Sequence, residues 1–130
     1  MVCSVRTDMA EEAHRLWCRS ASDTSALSGV EAFEENILDL SVSTVHILNG
    51  AGAGSLGRPV GQYFTLHLPD HFEWGSESFV PAVKALSLLI RRCLPDCCDS
   101  VLVAGLGNPD ITPDALGSLT VSLVLVTRHL

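Results

Sequence analysis

Within residues 61–93 the apolar pattern changes period, and that change fixes the class of fold. Over residues 61–68, Phe64, Leu66 and Leu68 alternate with Tyr63, Thr65 and His67, the two-residue repeat of a strand with one face buried. Pro69-Asp70-His71 ends that strand. Further on, Phe79, Ala82, Val83, Leu86, Leu89, Ile90 and Cys93 recur at helical spacing. A helix is therefore expected over residues 77–94, stopped by Pro95-Asp96. The fully apolar run Val101-Leu102-Val103-Ala104, within residues 100–104, predicts a central strand covered on both faces. Upstream, residues 8–19 read as a helix that Thr7 or Asp8 can cap, with Glu11 and Glu12 in the first turn and Arg15 and Arg19 near the end. A polar connector over residues 20–29 follows. Two strand-like runs then flank Asn36-Ile37-Leu38-Asp39 within residues 30–48, and Asn49-Gly50 is a turn signal. This order of elements implies one α/β domain over residues 1–130, a mixed central sheet with flanking helices.

Composition narrows the function. The chain is 47% hydrophobic and 18% charged, enough apolar content for a buried core. Its net charge is −7, from 8 basic and 15 acidic residues. With no Lys/Arg cluster to meet phosphates, direct nucleic-acid binding is not expected; a solvated helix face accounts for Arg91-Arg92. No apolar run approaches the roughly 20 residues of a membrane helix. The first residues lack a signal-peptide apolar stretch, so a cytoplasmic location without membrane contact is expected. The five cysteines, Cys3, Cys18, Cys93, Cys97 and Cys98, are odd in number and irregularly spaced, which reads as reduced, partly buried thiols.

Three local patterns suggest other chemistry and fail on context. Cys93-x-x-x-Cys97-Cys98 has no second ligand pair at zinc-like spacing, and His67-x-x-x-His71 straddles a strand end and Pro69, so no metal is expected. Gly52-Ala53-Gly54-Ser55-Leu56-Gly57 spells a dinucleotide fingerprint, and Glu73 lies about 20 residues on. Pro59 and Gly61 break the helix that must follow; a glycine-rich turn with one short helical turn is the reading, and no cofactor is implied. Serine catalysis lacks its Gly-x-Ser-x-Gly elbow, and no cysteine carries a nucleophile signature.

The segment suited to chemistry runs from Gly105 to Gly117. Gly105 and Gly107 let the backbone approach a bound chain closely, and Asn108 follows in the turn. Thr112 is the expected N-cap of a new helix, with Pro113 at N1 and Asp114 at N2. There the helix dipole and free N–H groups favour an ionised carboxylate. The position also suits an aspartate that merely decorates a helix start.

Five blocks extend the reading. Arg6-Thr7-Asp8-Met9-Ala10, Gly57-Arg58-Pro59-Val60-Gly61-Gln62-Tyr63, Gly105-Leu106-Gly107-Asn108, Thr112-Pro113-Asp114-Ala115-Leu116-Gly117 and Leu125-Val126-Thr127-Arg128-His129-Leu130 together resemble the germination protease family, in its order and across the whole chain. The resemblance implies an aspartic-type endopeptidase of the spore core. It would degrade small acid-soluble spore proteins at germination, as a homo-oligomer made first as a zymogen. It also implies two catalytic aspartates. One matches Asp114; the other belongs to an Asp-Ala-Leu-Ala-like context that these 130 residues do not contain. Asp110 receives no role. The family usually has Pro where Ser118 stands, and the leader before Arg6 is short. The expectation is therefore an incomplete sheet, because the chain ends early, and an isolated chain that is inactive or nearly so. Two alternatives remain open. One is a non-catalytic paralogue that binds spore proteins or a full-length subunit. The other is similarity to hydrogenase-maturation endopeptidases, which share the Gly-Leu-Gly-Asn turn followed by an aspartate.

Overall fold

The computed structural model describes residues 9–20 and 27–127; the cap expected at Thr7 or Asp8 lies outside them. The chain divides into two compact units, Met1–Cys93 and Leu94–Leu130.

The first unit is built on an antiparallel sheet in the order β1-β2-β3, formed by Val30–Ile37, Leu40–Ile47 and Gly61–Leu66. β1 and β2 form a hairpin in which Ile37 faces Leu40 and Val30 faces Ile47. Its two-residue link, Leu38-Asp39, has φ of 52° and 65°. That left-handed pair matches the twist of the flanking strands, as hairpin turns of this length require. β2 is central, flanked by β1 and β3. Its run Leu40-Ser41-Val42-Ser43-Thr44-Val45-His46-Ile47 is rich in β-branched residues and almost wholly buried, which fits a strand covered on both faces.

The strand repeat sends alternate residues to opposite faces, and each face receives its own helices. On one face, Val30, Val45 and Ile47 form a core with Ala10 and Leu56, and Ala13, Trp17 and Tyr63 pack on it. Ala10, Ala13 and Trp17 are one stripe of α1, Ala10–Ser20, whose acidic first turn and Arg19 in the last turn complement the helix dipole. Leu56 closes α2, Gly50–Leu56. On the other face, Ile37, Leu40 and Val42 meet Ala82, Ala85 and Leu89 of α3, Phe79–Cys93, with Phe64, Leu66 and Phe72 beside them. The chain is thus an α/β fold with helices on both sides of its sheet.

Several local expectations are revised. Asn49-Gly50 does not make a turn: the Asn49 side chain accepts from the N–H groups of Ala51 and Gly52 at 3.0 and 3.1 Å and caps α2. The glycine-rich segment is therefore a seven-residue helix, longer than one turn and ended by Gly57 with φ of 65°. Glycine costs little at such a C-terminal position. Along α3 the apolar arc is wider than the sheet that receives it. Ala82, Ala85 and Leu89 are buried, while Val83, Leu86 and Ile90 are exposed. Small alanines let the helix sit close to the sheet, so the larger side chains on its flanks cannot also reach it. The four described cysteines, Cys18, Cys93, Cys97 and Cys98, are free but exposed rather than partly buried.

The second unit holds a short 3-10 turn, Thr112–Asp114, and α4, Leu116–Ser122. Residues 100–104 are not in a strand. Their composition suits a central strand, but a strand exists only by pairing, and no partner lies beside them among the described residues.

Candidate functional site

The glycine turn and the aspartate predicted from sequence do meet. Gly107 has φ of 131°, which side-chain-bearing residues rarely adopt. A Cβ there would also overlap the carbonyl oxygen of Asp114. The turn folds over the short helical segment, and Gly105 and Gly117 complete the fit: a Cβ on either would overlap backbone, of Gly117 and of Leu106 respectively. Three glycines thus let two backbone segments touch. Their contact brings the Asn108 N–H to the Asp114 carboxylate, which accepts it at Oδ2 over 2.8 Å. A backbone donor aimed at one carboxylate oxygen fixes its orientation.

The rest of the turn holds itself in place. The Asn108 side-chain oxygen accepts from the Asp110 N–H at 3.0 Å, and the Asn108 carbonyl accepts from the Ile111 N–H at 3.2 Å. Ser118 donates through its hydroxyl to the Gly107 carbonyl at 2.8 Å. A residue without a side-chain donor at this position could not make that bond. Sequence reasoning noted Ser118 only as a departure and missed this role, because a bond spanning 11 residues exists only once the two segments pack.

Thr112 does not cap a helix. Ile111 occupies the cap position and no side chain caps it. Thr112 opens the 3-10 turn, and its carbonyl accepts from Ala115 at 3.4 Å. Asp114 ends that turn, two residues before α4, rather than standing at N2 of a helix. Its carboxylate is therefore held by the Asn108 N–H, not by α4. Asp114, Asn108 and Thr112 are all exposed, so the site is an open loop surface.

A second polar cluster joins α1 to the sheet. Glu11 is buried, its side chain 7% exposed, and it lies 2.5 Å from Arg15 and 3.4 Å from His67 Nε2. The same His67 nitrogen lies 2.8 Å from the Ser43 hydroxyl. One imidazole nitrogen cannot at once accept from Ser43 and donate to Glu11, so this is no relay of the Ser-His-acid kind, whose acid engages the other nitrogen. The buried Glu11 oxygens make no hydrogen bond, so only ion-pair distances join them to Arg15 and His67. Glu11, Ser43 and His14 help line a cavity of about 180 Å³. A second groove, of about 710 Å³, lies between residues 98–103 and 121–127; Asp114 lines neither. Among the described residues no group of three His, Cys, Asp or Glu side chains is arranged to hold a metal, and no helix is long and apolar enough to cross a membrane.

These features define the class: an α/β protein with a loop carboxylate held by a glycine turn. Comparison with known proteins gives the family. The family model described as germination protease matches residues 6–130. Germination proteases of Clostridium acetobutylicum and Caldanaerobacter subterraneus are each 37% identical to the chain, over 98% and 100% of it, and one from Clostridium perfringens is 39% identical over 98%. The chain belongs to the germination protease family, a family of peptidases. It spans 39% of the length of each of those three relatives. No solved structure matches it.

Proposed function

We propose that Asp114 is one of the two working carboxylates of an aspartic-type endopeptidase that degrades small acid-soluble spore proteins within the spore during germination. The observation that supports this most is the Asn108 N–H bonded to Asp114 Oδ2, built by a turn whose glycines let its backbone pack against the Asp114 segment. Family membership supplies the peptidase class. In a two-carboxylate site the ionised partner draws a proton from the attacking water, while the protonated partner hydrogen-bonds the scissile carbonyl oxygen. Asp114 already accepts a backbone N–H at Oδ2, which orients it. Oδ1 then remains to take the water's proton. The open, glycine-edged surface beside it suits an extended substrate backbone, with Gly105, Gly107, Asn108 and Thr112 shaping the approach.

Asp114 cannot fill both roles, so the 130 residues alone are expected to cleave spore protein barely or not at all. The test is a chimera in which this chain replaces the matching stretch of the C. acetobutylicum germination protease. The chimera should cleave small acid-soluble spore protein, and Asp114→Asn should lower the rate by about 10²–10⁴-fold while leaving substrate association largely intact. Full activity of the Asn variant would remove Asp114 from the mechanism. A second reading is kept for the chain by itself, since only one of the two aspartates the resemblance implies matches a residue of it. It would be a non-catalytic binder of spore proteins or of a full-length subunit, and homo-oligomer formation would follow the same surfaces.

A further inference from the structure

Between β3 and α3 the chain runs through three successive turns, each closed by a backbone bond. The Phe72 N–H donates to the Pro69 carbonyl at 3.0 Å, that of Ser76 to Glu73 at 3.1 Å, and that of Phe79 to Ser76 at 3.0 Å. The middle turn carries Trp74, which is 88% exposed. A ring of that size left in water is a large apolar surface with nothing laid on it. It is nonetheless anchored. Its centroid lies 4.6 Å from that of Phe79, with the rings tilted by 50°, and Phe79 stacks on Phe72 at 5.9 Å and 21°. Phe72 packs in turn on the core that α3 shares with the sheet. The indole is thus fastened to folded structure while most of its surface faces solvent, an arrangement that leaves little to be ordered on binding.

The charges around the ring decide what it can take. Asp70, Glu73 and Glu77 fall one to each turn, and all three are exposed. None of them makes an ion pair with a described residue, and between Arg58 and Lys84 the chain has no lysine or arginine. The face of an aromatic ring attracts a cation, and tryptophan does so best. Acidic side chains without partners on the same turns pull in the same direction. An apolar partner would instead strip water from three carboxylates and leave them unpaired, and an anionic one would be repelled. Among cations, arginine fits better than lysine. Its planar guanidinium lies flat on an indole, its edge N–H groups reach a carboxylate, and it is the more weakly hydrated of the two.

We propose that Trp74, with the carboxylates of Asp70, Glu73 and Glu77, forms a docking site for a basic peptide segment of another protein, an arginine of which lies on the indole. The site belongs to the first unit and makes no use of Asp114, so it is independent of the peptidase reading. The test titrates the 130-residue chain with the acetylated amide of Arg-Gly-Arg-Gly-Arg and follows the indole N–H resonances of its two tryptophans by NMR. The Trp74 resonance, identified by its loss in Trp74→Ala, should move and saturate while that of Trp17 stays. The same peptide built with citrulline, alike in shape but uncharged, should not bind. Affinity in each variant is read from the Gly75 amide. Trp74→Ala should weaken binding about fivefold, and the joint change Asp70→Asn, Glu73→Gln and Glu77→Gln about tenfold. Removing the same charge elsewhere, by Glu31→Gln, Glu34→Gln and Asp39→Asn, should alter it by less than about twofold. All the changed side chains are exposed, so the variants should keep the circular dichroism of the parent. A Trp74 resonance that does not move, unchanged affinity in Trp74→Ala, equal binding of the citrulline peptide, or equal weakening by the two triple changes would each overturn the proposal. The citrulline result would make the surface simply apolar, and equal weakening would reduce the attraction to net charge.

Discussion

At the scale of single residues, the chain places small or special side chains where backbone must touch backbone. Gly107→Ala is expected to be the most damaging substitution near the site. It combines a left-handed φ with an overlap on the Asp114 carbonyl, and such strain costs on the order of 1–3 kcal/mol. The readout is hydrogen exchange of the Asn108 amide, which should quicken as its bond to Asp114 lengthens. Asn49→Ala removes the cap of α2 and should lower stability by about 1 kcal/mol, read as a lower urea midpoint at unchanged slope. The hairpin offers the opposite sign. Leu38 holds φ of 52° with a partly exposed side chain, a conformation asparagine tolerates far better. Leu38→Asn should therefore raise stability by about 0.5–1 kcal/mol, since little packing is lost.

At the scale of elements, the sheet is held by two cores of different construction. Against α3 the contact is close because Ala85 is wholly buried over Val42, itself wholly buried. Ala85→Leu should cost about 1–3 kcal/mol by overpacking, visible as a lowered melting temperature with the helix content retained. The same helix is tied to β1 by Arg92 and Glu35, which make two hydrogen bonds. That bonding to Glu35 pushes the Arg92 pKa up, against an opposing effect of burial and with the charge of Glu35 adding to it, so Arg92 stays charged. Both side chains remain partly exposed. Salt screening should therefore hold the contribution of the pair to at most about 1 kcal/mol. On the other face, α1 is held by Ala10, Ala13 and Trp17, while the buried Glu11 carboxylate lies near Arg15 and His67.

At the scale of the molecule, the two units differ in how much they bury. Among the described residues, every buried apolar side chain apart from Ala115 falls within residues 10–89. Residues 9–93 should then fold alone with a cooperative thermal transition, measured by circular dichroism; a loss of that transition would show that residues 94–130 contribute to the first unit's stability. In the second unit Leu102, Leu106, Leu116 and Leu123 are all largely exposed. An exposed apolar surface of that kind marks a place where more protein belongs.

Sequence alone determined whatever depends on neighbours along the chain. The period of two at Phe64 and Leu66 and the helical period from Phe79 to Cys93 fixed the α/β class, because side-chain direction follows directly from backbone repeat. The glycine turn and Asp114 were legible only through their resemblance to the family's motifs. Tertiary structure alone decided which side of α3 the sheet would take, that residues 101–104 would stay unpaired, and that Asn108 rather than a helix end would hold the Asp114 carboxylate. Each of these depends on a contact between segments distant in sequence or across a surface. A strand without a partner, or a carboxylate without its donor, has no signature in its own residues, since the free energy that selects it belongs to the pair.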